Sequence, residues 1–186
     1  MNSSADILQF RDVNKSFRAS HGSVDVLHSV NLSLTQGEFA MITGPSGSGK
    51  STFLHLAALL DVPTSGNLAF EEQEVASFQS AELCDLRKNS IGIVFQKYYL
   101  LSHRSVFENV LFRFRYLDCS SSDARTKVGQ ALEMMHLSAI ADRPARLLSG
   151  GEMQRVAIAR AVALMPKLLI ADERGADWCP EEGESK

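Results

Sequence analysis

Strands alternating with helices, a glycine-rich loop between a short apolar run and a helix, and a second apolar run ending in two carboxylates together predict an α/β layered domain with a largely parallel core sheet. The glycine-rich loop fits G-x-x-x-x-G-K-[ST], a pattern that carries phosphate chemistry when a strand precedes it and a helix follows.

Along the chain, residues 7–13 mix apolar and polar positions as a strand exposed on one side does. Val30, Leu32 and Leu34 alternate with Asn31 and Ser33, and Gln36 and Gly37 follow as a turn. The run Phe39-Ala40-Met41-Ile42, bounded by glycines, predicts a short buried strand. A helix is expected over residues 50–60, stopped by the turn formers Asp61-Val62-Pro63-Thr64-Ser65-Gly66. Residues 91–95 form another short apolar strand, and residues 96–148 are mostly helical by pattern. The clearest helix there spans residues 122–136, with Val128, Leu132 and Met135 on one face and Ser121, Ser122 and Asp123 as starting caps. A further helix over residues 151–164 and a last buried strand, Leu168-Leu169-Ile170-Ala171, complete the pattern.

Gly44, Pro45, Ser46, Gly47, Ser48, Gly49, Lys50, Ser51 and Thr52 make up the phosphate loop and its helix start. Glycines let the backbone wrap a phosphate chain with its N–H groups turned inward. The helix N-terminus adds partial positive charge. Lys50 supplies a full charge for the β- and γ-phosphates, and the Ser51 hydroxyl can coordinate Mg²⁺. At the end of the last strand, Asp172 is expected to hold Mg²⁺ directly or through water, and Glu173 to polarise an attacking water. Apolar strands often end in surface acids; beside a phosphate loop the pair reads as a metal and base site.

The most specific segment is Leu148-Ser149-Gly150-Gly151-Glu152-Met153-Gln154-Arg155, continued by Val156-Ala157-Ile158-Ala159-Arg160-Ala161. Ser149 is expected to cap a helix whose first turn holds Gly150 and Gly151, another anion-receptive N-terminus. With the phosphate loop, this segment resembles the LSGGQ-type signature of ABC ATPases. The resemblance extends over about residues 6–173. It implies a P-loop core with a largely parallel sheet, an N-terminal antiparallel β subdomain and a helical subdomain at about residues 97–150. It further implies that Ser149, Gly150, Gly151 and Glu152 close over the γ-phosphate of ATP held by a second copy, so that a head-to-tail homodimer completes two sites.

Gln96, after the strand at 91–95, resembles the family's Q-loop glutamine, which touches Mg²⁺ or water and senses the membrane partner. Phe17 sits where the family places an aromatic that stacks on adenine. Val26-Leu27-His28, Leu54-His55-Leu56 and residues 60–66 are similar to the lipoprotein-release and macrolide-export branch. The resemblance implies ATP and Mg²⁺ as ligands, integral membrane permease subunits as partners, and a cytoplasmic, peripheral location on the inner face of the cell membrane.

Composition fits that reading. Hydrophobic residues at 45% and charged residues at 22% are ordinary for a folded domain. A formal charge of −3 argues against a nucleic-acid partner. Cys84, Cys119 and Cys179 lack metal or disulfide spacing, as do the five histidines. No stretch nears about 20 uninterrupted apolar residues, so no direct membrane insertion is expected.

The resemblance stops after Glu173. Residues 174–186, Arg-Gly-Ala-Asp-Trp-Cys-Pro-Glu-Glu-Gly-Glu-Ser-Lys, replace the family's D-loop, switch histidine and final strands. They read as a truncated or frame-shifted end, expected to be disordered. On that reading hydrolysis is expected to be poor, and two alternatives stay open: a non-hydrolysing nucleotide-binding remnant, and a non-transport ABC ATPase.

Overall fold

The computed structural model describes residues 6–20 and 22–172. The chain opens with a long antiparallel hairpin, β1 (Asp6–Ala19) and β2 (Gly22–Thr35). Helix α1 (Lys50–Ala57) follows the phosphate loop, and β3 (Ser65–Phe70) and β4 (Gln73–Glu74) return to the hairpin, giving the order β2-β1-β3-β4. Helix α2 (Ser80–Ser90) leads into β5 (Ile91–Val94), which pairs in parallel with β6 (Leu168–Ala171). Between β5 and β6 lie α3 (Val106–Leu111), α4 (Ser121–Met134) and α5 (Gly150–Val162).

One core unites both sheets. Leu8, Phe10 and Val13 of β1 and Leu68 and Phe70 of β3 meet Phe53 and Leu56 of α1, together with Ile91, Leu168 and Ile170. Phe10 stacks on Phe53 with ring centroids 4.7 Å apart, so the face of α1 behind the phosphate loop is held by aromatic contact. A second core joins Val106 and Val110 of α3, Val128 and Leu132 of α4, and Val156 and Ala159 of α5.

The two cores meet where α5 crosses β5. Ala157 and Ala161 pack on Val94, and a Cβ added at Gly92 would lie 2.6 Å from the Ala161 carbonyl oxygen and 2.9 Å from Pro166 Cγ. Only a residue without a side chain fits there. Gly92→Ala is expected to destabilise the fold by about 1–3 kcal/mol through overpacking against backbone. Urea unfolding measures it, and a change below about 0.5 kcal/mol, as for ordinary surface substitutions, would contradict this close approach.

Several sequence expectations are corrected. Phe39, Met41 and Ile42 do not form a buried strand: they lie outside every strand and are 73%, 69% and 39% exposed. A short apolar run becomes a buried strand only with ladder partners on its edges, and among the described residues none pairs with it. Helix α1 stops at Ala57 rather than residue 60, because Leu59 takes a left-handed conformation (φ 54°). In α4 the cap is Ser120, whose hydroxyl accepts from the Asp123 N–H, so the helix starts one residue early and ends at Met134. β6 is buried only on alternate residues, with Leu169 42% exposed. The α/β fold itself is as expected, with an antiparallel N-terminal sheet and, among the described residues, β5 and β6 paired in parallel. Glu173 and the tail at 174–186 lie outside the described residues, as does Cys179.

Candidate nucleotide site

Gly49 is the N-cap of α1, with φ +89°, and no side chain caps the helix. A Cβ there would sit 3.0 Å from both Leu27 Cδ2 and the Val26 carbonyl oxygen, so the loop lies tight against β2. Within the loop Ser48 N–H reaches the Pro45 carbonyl at 3.3 Å. The N–H groups of Gly47, Gly49, Lys50 and Ser51 have no backbone acceptor among the described residues. Orphan donors at a helix start, with the dipole behind them, form a receptor for anionic oxygen.

The Lys50 ammonium folds over this loop and donates to the carbonyls of Gly44 and Pro45, both at 2.7 Å. It therefore closes the loop on its own first residues, which precede the residues whose N–H groups are open. Ser46, Gly47 and Ser48 are exposed, as is Ser51, whereas Thr52 is half-buried.

The parallel pair brings two other expected residues to one edge. Asp172 N–H bonds the Val94 carbonyl at 2.9 Å, so Asp172 leaves β6 where the chain leaves β5 toward Gln96. Gln96 is exposed. Two residues on, Arg160 of α5 donates to the carbonyls of Tyr98 (2.6 Å) and Tyr99 (3.1 Å), tying this segment to α5. Burial first, and Arg113 second, hold the Arg160 guanidinium below its usual pKa. The sequence reading missed this tie, because nothing local links residues 61 positions apart.

Phe17, on β1 opposite Val24, is 43% exposed. Lys15, two residues earlier on the same strand face, points its ammonium at the ring from 5.0 Å. Lys15 also pairs with Leu27, whose Cδ2 lies against Gly49, and the register shifts by one residue between Lys15 and Ser16 before Phe17 meets Val24.

The signature begins α5. Ser149 Oγ accepts from the Glu152 N–H at 3.3 Å, and Glu152 Oε2 accepts from the Ser149 N–H at 2.8 Å, a reciprocal capping box. Arg143 holds the other Glu152 oxygen at 3.1 Å. Among the described residues, a Cβ on Gly150 meets nothing within 4 Å, so this helix start is open toward them. Ser149 lies eight residues before Ala157, roughly 12 Å along the helix from the packing on Val94. The signature and the ends of β5 and β6 are thus separated within one chain.

Hydrogen bonds from the Ser149 backbone N–H and then its hydroxyl, with smaller help from Arg143 and Arg155, hold the Glu152 carboxyl below its usual pKa. A depressed carboxylate adds stability above its unfolded value of about 4.3 and loses it as pH falls through the folded value. A carbon-13 titration of Glu152 is expected to give a midpoint below that of a free glutamate. A midpoint at or above the free value would contradict the capping box.

Among the described residues no helix is long and apolar enough to cross a membrane. Among those residues, no group of three or more His, Cys, Asp or Glu side chains could hold a metal by itself. A magnesium site here would therefore draw on mixed oxygen donors, and the hydroxyl, carboxylate and amide oxygens of Ser51, Asp172 and Gln96 suit that hard cation.

A family model described as ABC transporter matches residues 27–176. The uncharacterised ABC transporter ATP-binding protein YknY of Bacillus subtilis is 41% identical over 170 residues, covering 90% of this chain and 73% of that protein. The lipoprotein-releasing system ATP-binding protein LolD of Myxococcus xanthus is 38% identical over 178 residues, covering 96% and 80%. The macrolide export ATP-binding/permease protein MacB of Chlorobaculum tepidum is 41% identical over 90% of this chain, which spans 26% of that longer protein. Among solved structures, the dimeric post-hydrolysis state of the ATP-binding cassette MJ0796 bound to ADP and Pi superposes with a TM-score of 0.79 at 36% identity. That likeness covers 88% of this chain and 72% of that one. The α/β fold, the loop before α1 and the sequence relatives agree: the chain belongs to the ABC transporter family, as an ATP-binding subunit.

Proposed function

We propose that residues 44–52 bind the triphosphate of ATP and that the chain energises an export or lipoprotein-release complex. The observation that carries this reading is the uncapped start of α1, where open N–H groups share one glycine-rich loop with the Lys50 ammonium. In this reading Phe17 stacks on adenine. Ser51, Gln96 and Asp172 hold Mg²⁺, which supplies neutralising charge at the phosphates when bound. Glu173 orients a water for in-line attack on the γ-phosphorus. The bond to the bridging oxygen of ADP then breaks and inorganic phosphate leaves.

Ser149, Gly150, Gly151 and Glu152 serve the ATP of a second copy. The open space at Gly150 and the separation of this helix start from the β5–β6 edge support a partner-supplied role. Residues 1–173 are proposed as the ATP-binding domain, with a helical subdomain at about 97–150. Integral membrane permease subunits are the proposed partners, met at the inner face of the cell membrane. Exposed Tyr99, Leu101 and Leu147, near the Gln96 segment, offer apolar surface for that contact.

Relatives that act in import, such as the methionine import protein MetN 1 of Paraburkholderia xenovorans at 37% identity, favour a second reading in which the permease is an importer. Two assays test the proposal together: calorimetric titration with Mg-ATP, and recovery of permease subunits with the tagged chain from membranes. Saturable ATP binding with recovery of an export or lipoprotein-release permease is expected. An import permease in its place would favour the second reading, and absence of ATP binding would refute the nucleotide site.

A further inference from the structure

We infer that Lys15 is a positioning residue for the adenine platform: its ammonium holds the Phe17 ring ready to stack and links that ring to the far end of the phosphate-loop helix. The inference rests on the proposed stacking role of Phe17.

Lys15 is 8% exposed, unusual for a lysine without a function for its charge. Its ammonium is well satisfied. Nζ donates to Asp61 Oδ1 at 2.7 Å and to the Val62 carbonyl at 2.8 Å, using two of its three donors. The Phe17 ring takes up the remaining side, its centroid 5.0 Å from Nζ. Asp61 is itself fixed by the Val62 N–H at 2.7 Å. The ammonium is therefore a rigid point rather than a mobile surface charge.

Two consequences follow from that placement. Asp61 and Val62 lie just beyond α1, whose first turn carries Lys50 and Ser51. Lys15 thus ties the ring on β1 to the same helix that receives the phosphates, and sets the distance between the base and phosphate ends of the site. A cation also attracts the negative π-face of an aromatic ring. Holding one face of Phe17 fixes the ring's rotamer before a base arrives, so stacking costs less side-chain freedom. The effect belongs to the base alone and leaves the phosphate contacts untouched.

That separation gives the test. Affinities of the full chain for Mg-ATP and for inorganic tripolyphosphate with Mg²⁺ are measured in the parent, Phe17→Leu, Lys15→Met and their double variant. Lys15→Met/Asp61→Asn is added because it leaves no half-buried carboxylate without its cation, and Lys15→Arg because it keeps a cation over the ring. Phe17→Leu is expected to weaken ATP about tenfold, in the range of base–aromatic stacking. Lys15→Met and Lys15→Met/Asp61→Asn should weaken it about fivefold. Tripolyphosphate affinity should not change in any of them. Lys15→Arg should stay near the parent, and Phe17→Leu/Lys15→Met should be no weaker than Phe17→Leu alone, because Lys15 acts through the ring. If Phe17→Leu loses ATP affinity while both Lys15→Met variants keep it, the stacking reading stands and the role of Lys15 is overturned. Equal losses of ATP and tripolyphosphate in both variants would overturn it too, by showing a general structural effect. Unchanged ATP affinity in Phe17→Leu would remove the stacking reading and this inference with it.

Discussion

Lys50→Ala is expected to lower ATP affinity at least a hundredfold while leaving the fold intact. The Lys50 ammonium lies over the loop, held among the described residues by the Gly44 and Pro45 carbonyls and by no carboxylate. What is lost is a full positive charge beside a triphosphate. A charge-assisted contact of this kind contributes about 1.5–3 kcal/mol by itself, and Lys50 reaches two phosphates in the proposed site. Thermal unfolding should move little. Titration calorimetry with Mg-ATP measures the first quantity and scanning calorimetry the second. Unchanged ATP affinity in the variant would remove Lys50 from the site.

The second large effect is expected at Ser149→Arg. Ser149 caps α5 and, in the proposed dimer, faces the γ-phosphate of the partner's ATP. Arginine removes the capping oxygen, at a cost of about 1 kcal/mol. It also puts a long side chain on a helix start that Gly150 keeps open. ATP binding by each chain should be unaffected, because the signature is remote from the phosphate loop's own contacts. ATP-driven dimerisation should weaken at least tenfold relative to Ser149→Ala, which loses the cap without gaining bulk. Sedimentation with ATP and Mg²⁺ reads both. A variant that dimerises as well as Ser149→Ala would refute the docking role.

The parts of the fold legible in the sequence were those whose cause is local. Ser149 and Glu152 stand three residues apart and cap α5 by reciprocal hydrogen bonds, a pattern visible in the residues themselves. Val128 and Leu132 fall on one face of α4 and are buried as their spacing predicts. The glycines of the phosphate loop announced a turn that other residues resist, and Gly49 has the expected positive φ.

What the residues did not disclose depends on distant partners. The run at 39–42 has the composition of a buried strand, yet burial of a strand is decided by its neighbours and not by its own side chains. Helix α2 has a weak apolar stripe, with Leu83 and Leu86 only partly buried, and escaped notice for that reason. Its start was nonetheless written in Glu82, whose carboxylate accepts from the Gln79 N–H. Lys15 with Asp61, and Arg160 with Tyr98 and Tyr99, join positions 46 to 62 residues apart. No local pattern carries such ties.

A crystal structure of this chain with a slowly hydrolysed ATP analogue and Mg²⁺ tests the central claim most directly. The account predicts the β-phosphate among the N–H groups of Gly47, Gly49, Lys50 and Ser51, with the metal at Ser51. Adenine should lie against Phe17, and Ser149 of a second copy should approach the γ-phosphate. Nucleotide bound elsewhere on the chain, with residues 44–52 making no phosphate contact, would contradict it.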